Sequence, residues 1–382
     1  MKRYLYTNIL EDLRQKIILL TGPRQAGKTT LAKQLNHSID YFNYDAAEDR
    51  LSLIEKNKKK KKELIIFDEM HKMKNWKQWV KGVYDTEGIP PYLLITGSAR
   101  LDIHRKVGDS LAGRYFQYRL YPLDLKEITK DNASNAEIEK SFNQLWDCSG
   151  FPEPFLNGNK TFYHRWRRTH TDIILRQDLV NLHSIKDITA IETLVMLLRQ
   201  RAGSCISYSN LARDIQVDAN TIKRWLELLE NLYIIFRVTP YSKNIARSLL
   251  KEPKFYFYDH AYIENDDGAK LENLVACSLM KELTYIEDIT GHHTVLQYLR
   301  TKDGKEIDFL VSIANKPHAL IEVKTTDDQP SKAFEHFSKF IKDTKKIQLV
   351  KTLRREKTMP DGLEIRKLIP WLAHLNFLPK SD

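Results

Sequence analysis

Three cysteines in 382 residues, Cys148, Cys205 and Cys277, leave no disulfide framework, and none stands in a Cys-x-x-Cys pair. A disulfide-stapled scaffold and a structural zinc site are thereby excluded, and a reducing compartment is expected. Long apolar runs are missing too. None approaches the roughly 20 residues that cross a bilayer, and Glu11 and Asp12 stand where a signal peptide would carry its apolar stretch. The expectation is a cytoplasmic protein with no membrane partner. No internal repeat appears, and no low-complexity tract beyond a lysine run, Lys58 to Lys62 beside Lys56, which reads as a solvated loop or helix end.

Hydrophobic residues make up 42% and charged residues 29%, an ordinary globular balance, and the length predicts two or three domains. The net charge is +11. Residues 1–150 carry 26 basic and 20 acidic side chains, residues 151–260 carry 16 and 11, and residues 261–382 carry 19 of each. Any electrostatic grip on a nucleic acid therefore belongs to the first two segments.

The first segment alternates strands and helices. Lys16–Thr21, Asp40–Tyr44, Glu63–Phe67 and Tyr92–Thr96 read as strands, with helices over Thr29–Leu35 and Trp76–Tyr84. Such alternation implies a parallel sheet covered on both faces. The middle is helical over Thr161–Leu182 and Ile188–Arg201. There follow a short helix after Ser207 and a second over Ala219–Leu232, with Ser207 and Asp218 as N-caps, then strands Tyr233–Val238 and Lys254–Tyr258. The last segment predicts a helix over Gly268–Glu282, strands Thr294–Leu299, Glu306–Val311 and Ala319–Lys324, a helix over Ser331–Ile341 and a strand near Lys346–Val350. The chain is thus α/β, divided as 1–155, 156–262 and 263–382.

Gly22-Pro23-Arg24-Gln25-Ala26-Gly27-Lys28-Thr29 matches the phosphate-loop pattern GxxxxGK[ST] in full, directly after a strand and before a helix that continues with Thr30. The glycines let backbone N–H groups wrap a phosphate, Lys28 reaches the β/γ-phosphates, and the Thr29 hydroxyl is a ligand for Mg²⁺. Asp68-Glu69 ends a buried strand, where Asp68 holds the metal through water and Glu69 polarises the attacking water. Thr96, Gly97 and Ser98 leave another strand where a γ-phosphate contact would sit. Together these elements resemble the AAA+ ATPases, with Walker A at Gly22–Thr29, Walker B at Asp68-Glu69 and a sensor at Thr96–Ser98. A prokaryotic branch of that superfamily is closer still, on Gly97-Ser-Ala-Arg100, Ser110-Leu-Ala-Gly-Arg114 and Leu120-Tyr-Pro-Leu123. The resemblance implies ATP and Mg²⁺ as cofactors, an arginine acting on the γ-phosphate (Arg114, with Arg100 in reserve), and a homo-oligomer.

The two middle helices and the strands after them read as a winged helix-turn-helix. Its second helix offers Asn220, Lys223 and Arg224 to DNA and packs through Trp225, Leu226, Leu228 and Leu229; packing or protein contact is the alternative role. In the last segment Glu322 and Lys324 share one strand face, and Asp308 on a neighbouring strand would bring two carboxylates and an ammonium together. Asp308 and Glu322 are then metal ligands with Glu272 completing the set, and Lys324 orients water or steadies the phosphorane charge. This pattern resembles the PD-(D/E)XK nucleases, and nearly the whole chain resembles prokaryotic AAA+ proteins with a nuclease-like C-terminal domain. Two functions stay open: a Mg²⁺-dependent ATPase acting on DNA with a metal-dependent nuclease domain, or an ATP-dependent switch or DNA-binding regulator on an inactive nuclease-like scaffold.

Overall fold

A computed structural model describes residues 1–55, 62–97, 111–130, 132–178, 188–242 and 252–378. These pack into two compact units, Met1–Tyr121 with Asn231–Tyr233, and Pro122–Glu230 with Ile234–Asp382. No helix among the described residues is long and apolar enough to cross a membrane.

The first unit follows from its apolar runs. After α1 (Tyr6–Asp12), β1 (Ile17–Thr21) is buried at every position, as is β3 (Leu64–Asp68). β2 (Ile39–Asn43), β4 (Tyr92–Gly97) and β5 (Tyr115–Arg119) complete a five-stranded parallel sheet in the order β2-β3-β4-β1-β5. Strands that are apolar on both faces need cover on both. α4 (Trp76–Glu87) supplies part of it through Trp76, Val80 and Val83, one helical stripe packed with Phe42, Phe67 and Ile95. α2 (Lys28–Gln34) leaves the carboxyl end of β1, and α3 (Ala47–Glu55) follows β2. In a parallel sheet, ligands are taken at the carboxyl ends of the strands.

The second unit begins with helices: α5 (Leu125–Ile128), α6 (Asn135–Cys148), α7 (Pro152–Asn157), α8 (Lys160–Ile173) and α9 (Ile188–Gln200). α8 passes into a π-helical turn at Ile174–Asp178, so the helix expected to reach Leu182 ends as regular α-helix at Ile173; residues 179–187 lie outside the described residues. α10 (Tyr208–Ile215) and α11 (Ala219–Asn231) follow, then β6 (Ile235–Pro240) paired antiparallel with β7 (Lys254–Phe257). Next come α12 (Asp267–Thr290), β8 (Thr294–Arg300), β9 (Glu306–Ile313), β10 (Lys316–Lys324), α13 (Lys332–Phe337), β11 (Lys345–Val350), β12 (Lys357–Thr358), β13 (Leu363–Lys367) and α14 (Leu368–Ala373). These strands make one eight-stranded sheet, ordered β12-β13-β11-β10-β9-β8-β6-β7. The two strands read from sequence as part of the middle module share this sheet, because Thr239 and Pro240 of β6 pair with Gln297 and Tyr298 of β8.

Candidate functional site

The loop between β1 and α2 has a shape that its glycines dictate. Gly22 has φ +143°, and a Cβ there would meet the Leu120 carbonyl oxygen at 2.2 Å. Gly27, at φ +94°, caps α2 in the left-handed region that side chains disfavour. Gln25 also takes positive φ and is exposed, Arg24 is half-buried, and Pro23 and Ala26 are buried. Lys28 is buried, and its Nζ donates to the carbonyls of Gly22 (3.0 Å) and Pro23 (2.7 Å), which places the ammonium inside the curl of the loop. Thr30, one residue further along α2, is exposed.

Across from the loop stands Asp68. Its Oδ2 accepts from Thr29 Oγ1 at 2.8 Å and from Tyr41 OH at 2.7 Å. Its Oδ1 accepts from the Thr96 hydroxyl and from the Glu69 backbone N–H at 3.1 Å. Burial pushes the Asp68 carboxyl up, but these hydroxyl donors and the Lys28 charge outweigh it and hold Asp68 below the usual carboxylate range. Glu69 goes the other way. Burial raises it, with Asp68 adding and Lys28 opposing, and its φ of +57° turns the chain sharply at the strand end. A neighbouring pair of carboxylates, one lowered and one raised, suits holding a cation with the first and polarising water with the second. The donor set suits Mg²⁺: the Thr29 hydroxyl and the Asp68 carboxylate are hard oxygens beside one another at a loop built for phosphate.

Two residues of this site, Tyr41 and Arg3, carry no local sequence signal, while Thr96 stands at its strand end as expected. Tyr41 comes from β2 and Thr96 reaches Asp68 from β4, and strand register alone joins them. Buried Arg3 donates to Ala26 O and Tyr121 O, both at 2.6 Å, and so pins the phosphate loop from the chain's own start.

Arg114 is not brought to this site. β5 runs parallel to β1 with Tyr115 beside Ile17, so Arg114 sits at the amino ends of the strands, whereas the loop leaves their carboxyl ends. Arg114 is level with Lys16, five residues before Thr21, and at about 3.3 Å per residue the offset is roughly 17 Å along the sheet. Arg114 pairs instead with Asp85, Nε to Oδ1 at 3.0 Å. Ser98, Arg100, Ser110 and most of the lysine run (Lys56, Lys58–Lys61) lie outside the described residues.

In the second unit, α10 ends at Gln216 in the left-handed region, and Asp218 caps α11 by accepting from the Thr221 N–H at 2.9 Å. Ser207 stands at the cap position of α10 but makes no side-chain cap. Ile222, Trp225, Leu226, Leu228 and Leu229 form the packed face, and Asn220, Lys223 and Arg224 are exposed.

The C-terminal charges do meet, in a different company from that expected. Asp308 on β9 lies beside Glu322 on β10: the Val323 N–H donates to Asp308 Oδ2 at 2.8 Å and the Asp308 N–H to Glu322 Oε2 at 3.4 Å. Lys324 Nζ is 2.7 Å from Glu322. Glu272, however, is held by Lys254 Nζ at 3.1 Å and by the Tyr256 hydroxyl at 2.6 Å, and Lys254 also pairs with Glu306 at 2.5 Å. Among the described residues no three His, Cys, Asp or Glu side chains are placed to hold a metal ion. Glu272, Asp308 and Glu322 therefore do not form the expected ligand trio, because a buried lysine stands among the carboxylates. Burial and the charges of Glu272 and Glu322 push Asp308 well above the carboxylate range, against the pull of Lys254. Burial raises Glu322 as well, with Lys324 opposing. The charged face is also less open than alternation implies, since Leu310 and Leu320, on the supposedly polar phase, are fully buried.

Comparison with known proteins agrees with the first unit. Residues 14–129 match a family model described as an AAA domain, while residues 139–265 and 267–371 match two domains of unknown function, DUF8612 and DUF4143. An uncharacterized protein of Mycobacterium tuberculosis is 27% identical over 82% of this chain and 71% of its own. Uncharacterized proteins of Haemophilus influenzae (23% identical, 93% and 94% covered) and Methanocaldococcus jannaschii (27%, 86% and 80%) are similar along most of the chain. Among solved structures, a RuvB variant of Thermotoga maritima aligns over 65% of this chain and 93% of its own, at 17% identity and a TM-score of 0.31. The chain thus carries an AAA-type P-loop fold in its first unit and an α/β second unit.

Proposed function

We propose that this chain is a Mg²⁺-dependent ATPase whose nucleotide cycle acts on DNA through its middle helices. The observation that carries the reading is the Thr29–Asp68 hydrogen bond, which joins the two halves of a phosphate and metal site across separate elements. ATP phosphates would lie in the Gly22–Thr29 curl against Lys28. Mg²⁺ would be held by Thr29 directly and Asp68 through water, supplying neutralisation of phosphate charge. Glu69, raised by burial, accepts a proton from the attacking water. On this reading Arg114 serves only across an interface between copies, which makes the working form a homo-oligomer. The test is phosphate release from ATP by the purified full-length protein, with and without DNA. Release abolished in Lys28→Ala supports the reading, and no release from wild type, or equal release from the variant, refutes it.

The DNA limb rests on Asn220, Lys223 and Arg224 lying exposed on one side of α11 while the opposite side is packed. This is how a second helix of a winged helix-turn-helix meets a groove. Mobility shifts across a salt series should weaken steeply for wild type. Unchanged binding by Lys223→Ala with Arg224→Ala would remove that helix from the contact.

For the third segment, 263–382, the scaffold reading is favoured over a nuclease by one feature: buried Lys254 pairs with Glu272 and Glu306. On this reading Glu272 is spent on Lys254 and is not free to complete a metal-ligand set with Asp308 and Glu322. Plasmid cleavage with Mg²⁺ or Mn²⁺ that is lost on Asp308→Ala with Lys324→Ala would overturn this and restore the nuclease.

A further inference from the structure

Four donors described above converge on the Asp68 carboxylate and fix its orientation. The Thr29 hydroxyl donates its one proton to Oδ2, which leaves its own lone pairs for a cation. How well it does so depends on where Oδ2 is held. The second donor to that same atom is Tyr41 OH, at 2.7 Å. Tyr41 is itself fixed from the other side, since Lys33 Nζ on α2 sits 3.9 Å from the centre of its ring. A cation over the ring is attracted to its face and helps to hold the ring in place. One side chain therefore spans the helix that begins in the phosphate loop and the strand that ends in Asp68.

We infer that Tyr41 is a positioning residue for Mg²⁺-dependent nucleotide binding, holding the Asp68 carboxylate so that Thr29 presents its lone pairs to the metal. The inference rests on the ATPase reading above and deepens it. It separates the site into a metal-independent half, the loop with Lys28, and a metal-dependent half in which the β2 hydroxyl takes part. Groups that orient metal-binding carboxylates typically change metal affinity 10–100-fold when removed. Tyr41→Phe deletes only the hydroxyl and keeps the ring beneath Lys33, so it isolates this contribution.

The test uses the full-length protein and a fluorescent ATP analogue. Affinity is measured in EDTA, and Mg²⁺ is titrated at fixed analogue. Tyr41→Phe is expected to match wild type within about twofold in EDTA and to need about tenfold more Mg²⁺ for half-maximal binding. Thr96→Val removes the other hydroxyl donor at nearly constant volume and should show the same signature. A Tyr41→Phe Mg²⁺ titration superimposable on wild type overturns the inference. So does an equal loss in EDTA and in Mg²⁺, which would mark a general disturbance of the loop. Wild-type protein that binds the analogue under neither condition refutes the parent ATPase reading and the inference with it, an outcome distinct from wild-type binding that Tyr41→Phe leaves intact.

Discussion

Replacing Lys254 by methionine keeps most of the stem and removes one buried charge. The Lys254 side chain is 2% exposed, and its ammonium lies 2.5 Å from Glu306 and 3.1 Å from Glu272, with Asp308 close enough to strengthen it further. Removing one partner of a buried pair leaves the other uncompensated, a loss of about 3–5 kcal/mol. Glu272 and Glu306 keep 20% and 25% of their side-chain surface in water, so the low end, about 3 kcal/mol, is expected. The carboxylates hold the Lys254 pKa above its ordinary value against burial, so its contribution is complete at pH 8 and fades only as pH rises past the lysine range. In the variant, Asp308 loses the pull of Lys254 that opposes its rise and is pushed higher still. The difference from wild type should therefore shrink as pH falls toward 5. Urea unfolding of both proteins at pH 8 and pH 5 measures it, and Glu272→Gln added to Lys254→Met should recover part of the loss at pH 8. A deficit under about 1 kcal/mol at pH 8, or one that grows toward pH 5, would refute the assignment of Lys254 as the internal counter-ion.

Three further outcomes follow from the same geometry. Gly22→Ala places a methyl 2.2 Å from the Leu120 carbonyl at a φ that alanine avoids, which costs about 1–3 kcal/mol of backbone strain before the clash is counted; affinity for a fluorescent ATP analogue should fall at least tenfold. Arg3→Met strips the donors from Ala26 O and Tyr121 O, so thermal stability and nucleotide affinity should fall together, by about 2 kcal/mol in stability. His260 is buried and lowered to about 4 by burial, with Nε2 on the Leu145 carbonyl at 2.8 Å. Its unfolded value lies near 6.5, so the stability it contributes is present above that and lost as pH falls toward 4, by up to about 3 kcal/mol. Urea unfolding across that window should show the loss in wild type and a flatter profile in His260→Gln, against the opposite, acid-favoured contribution of Asp308.

The phosphate loop was legible because its information is local. Gly22, Gly27, Lys28 and Thr29 lie within one turn between a buried strand and a helix, and both flanks announce themselves by composition. Asp68-Glu69 was legible for the same reason, at the end of a five-residue apolar strand. Thr96 was legible at its strand end, though its bond to Asp68 was not; Tyr41 was not, because what makes it matter is the register of β2 against β3, and register between strands many residues apart leaves no mark on either segment alone. Arg114 is a separate case. It precedes β5, a strand its composition did not announce, and the register of β5 with β1 places it at the amino ends of the strands, away from Thr29 within one chain.

The C-terminal cluster is a different case. Asp308, Glu322 and Lys324 were read from two adjacent strands, and those strands do bring them together. What the pattern omitted was the counter-charge, since Lys254 lies more than fifty residues earlier, in an aromatic strand where a lysine looks incidental. Its presence changes the chemistry more than any of the residues that were found. Carboxylates facing an open position attract a cation from solution; carboxylates facing a buried ammonium already have one, at a cost fixed once at folding. Here the lysine is 2% exposed and pairs with Glu272 and Glu306, which engages one residue of the expected ligand set, while Glu322 pairs with Lys324.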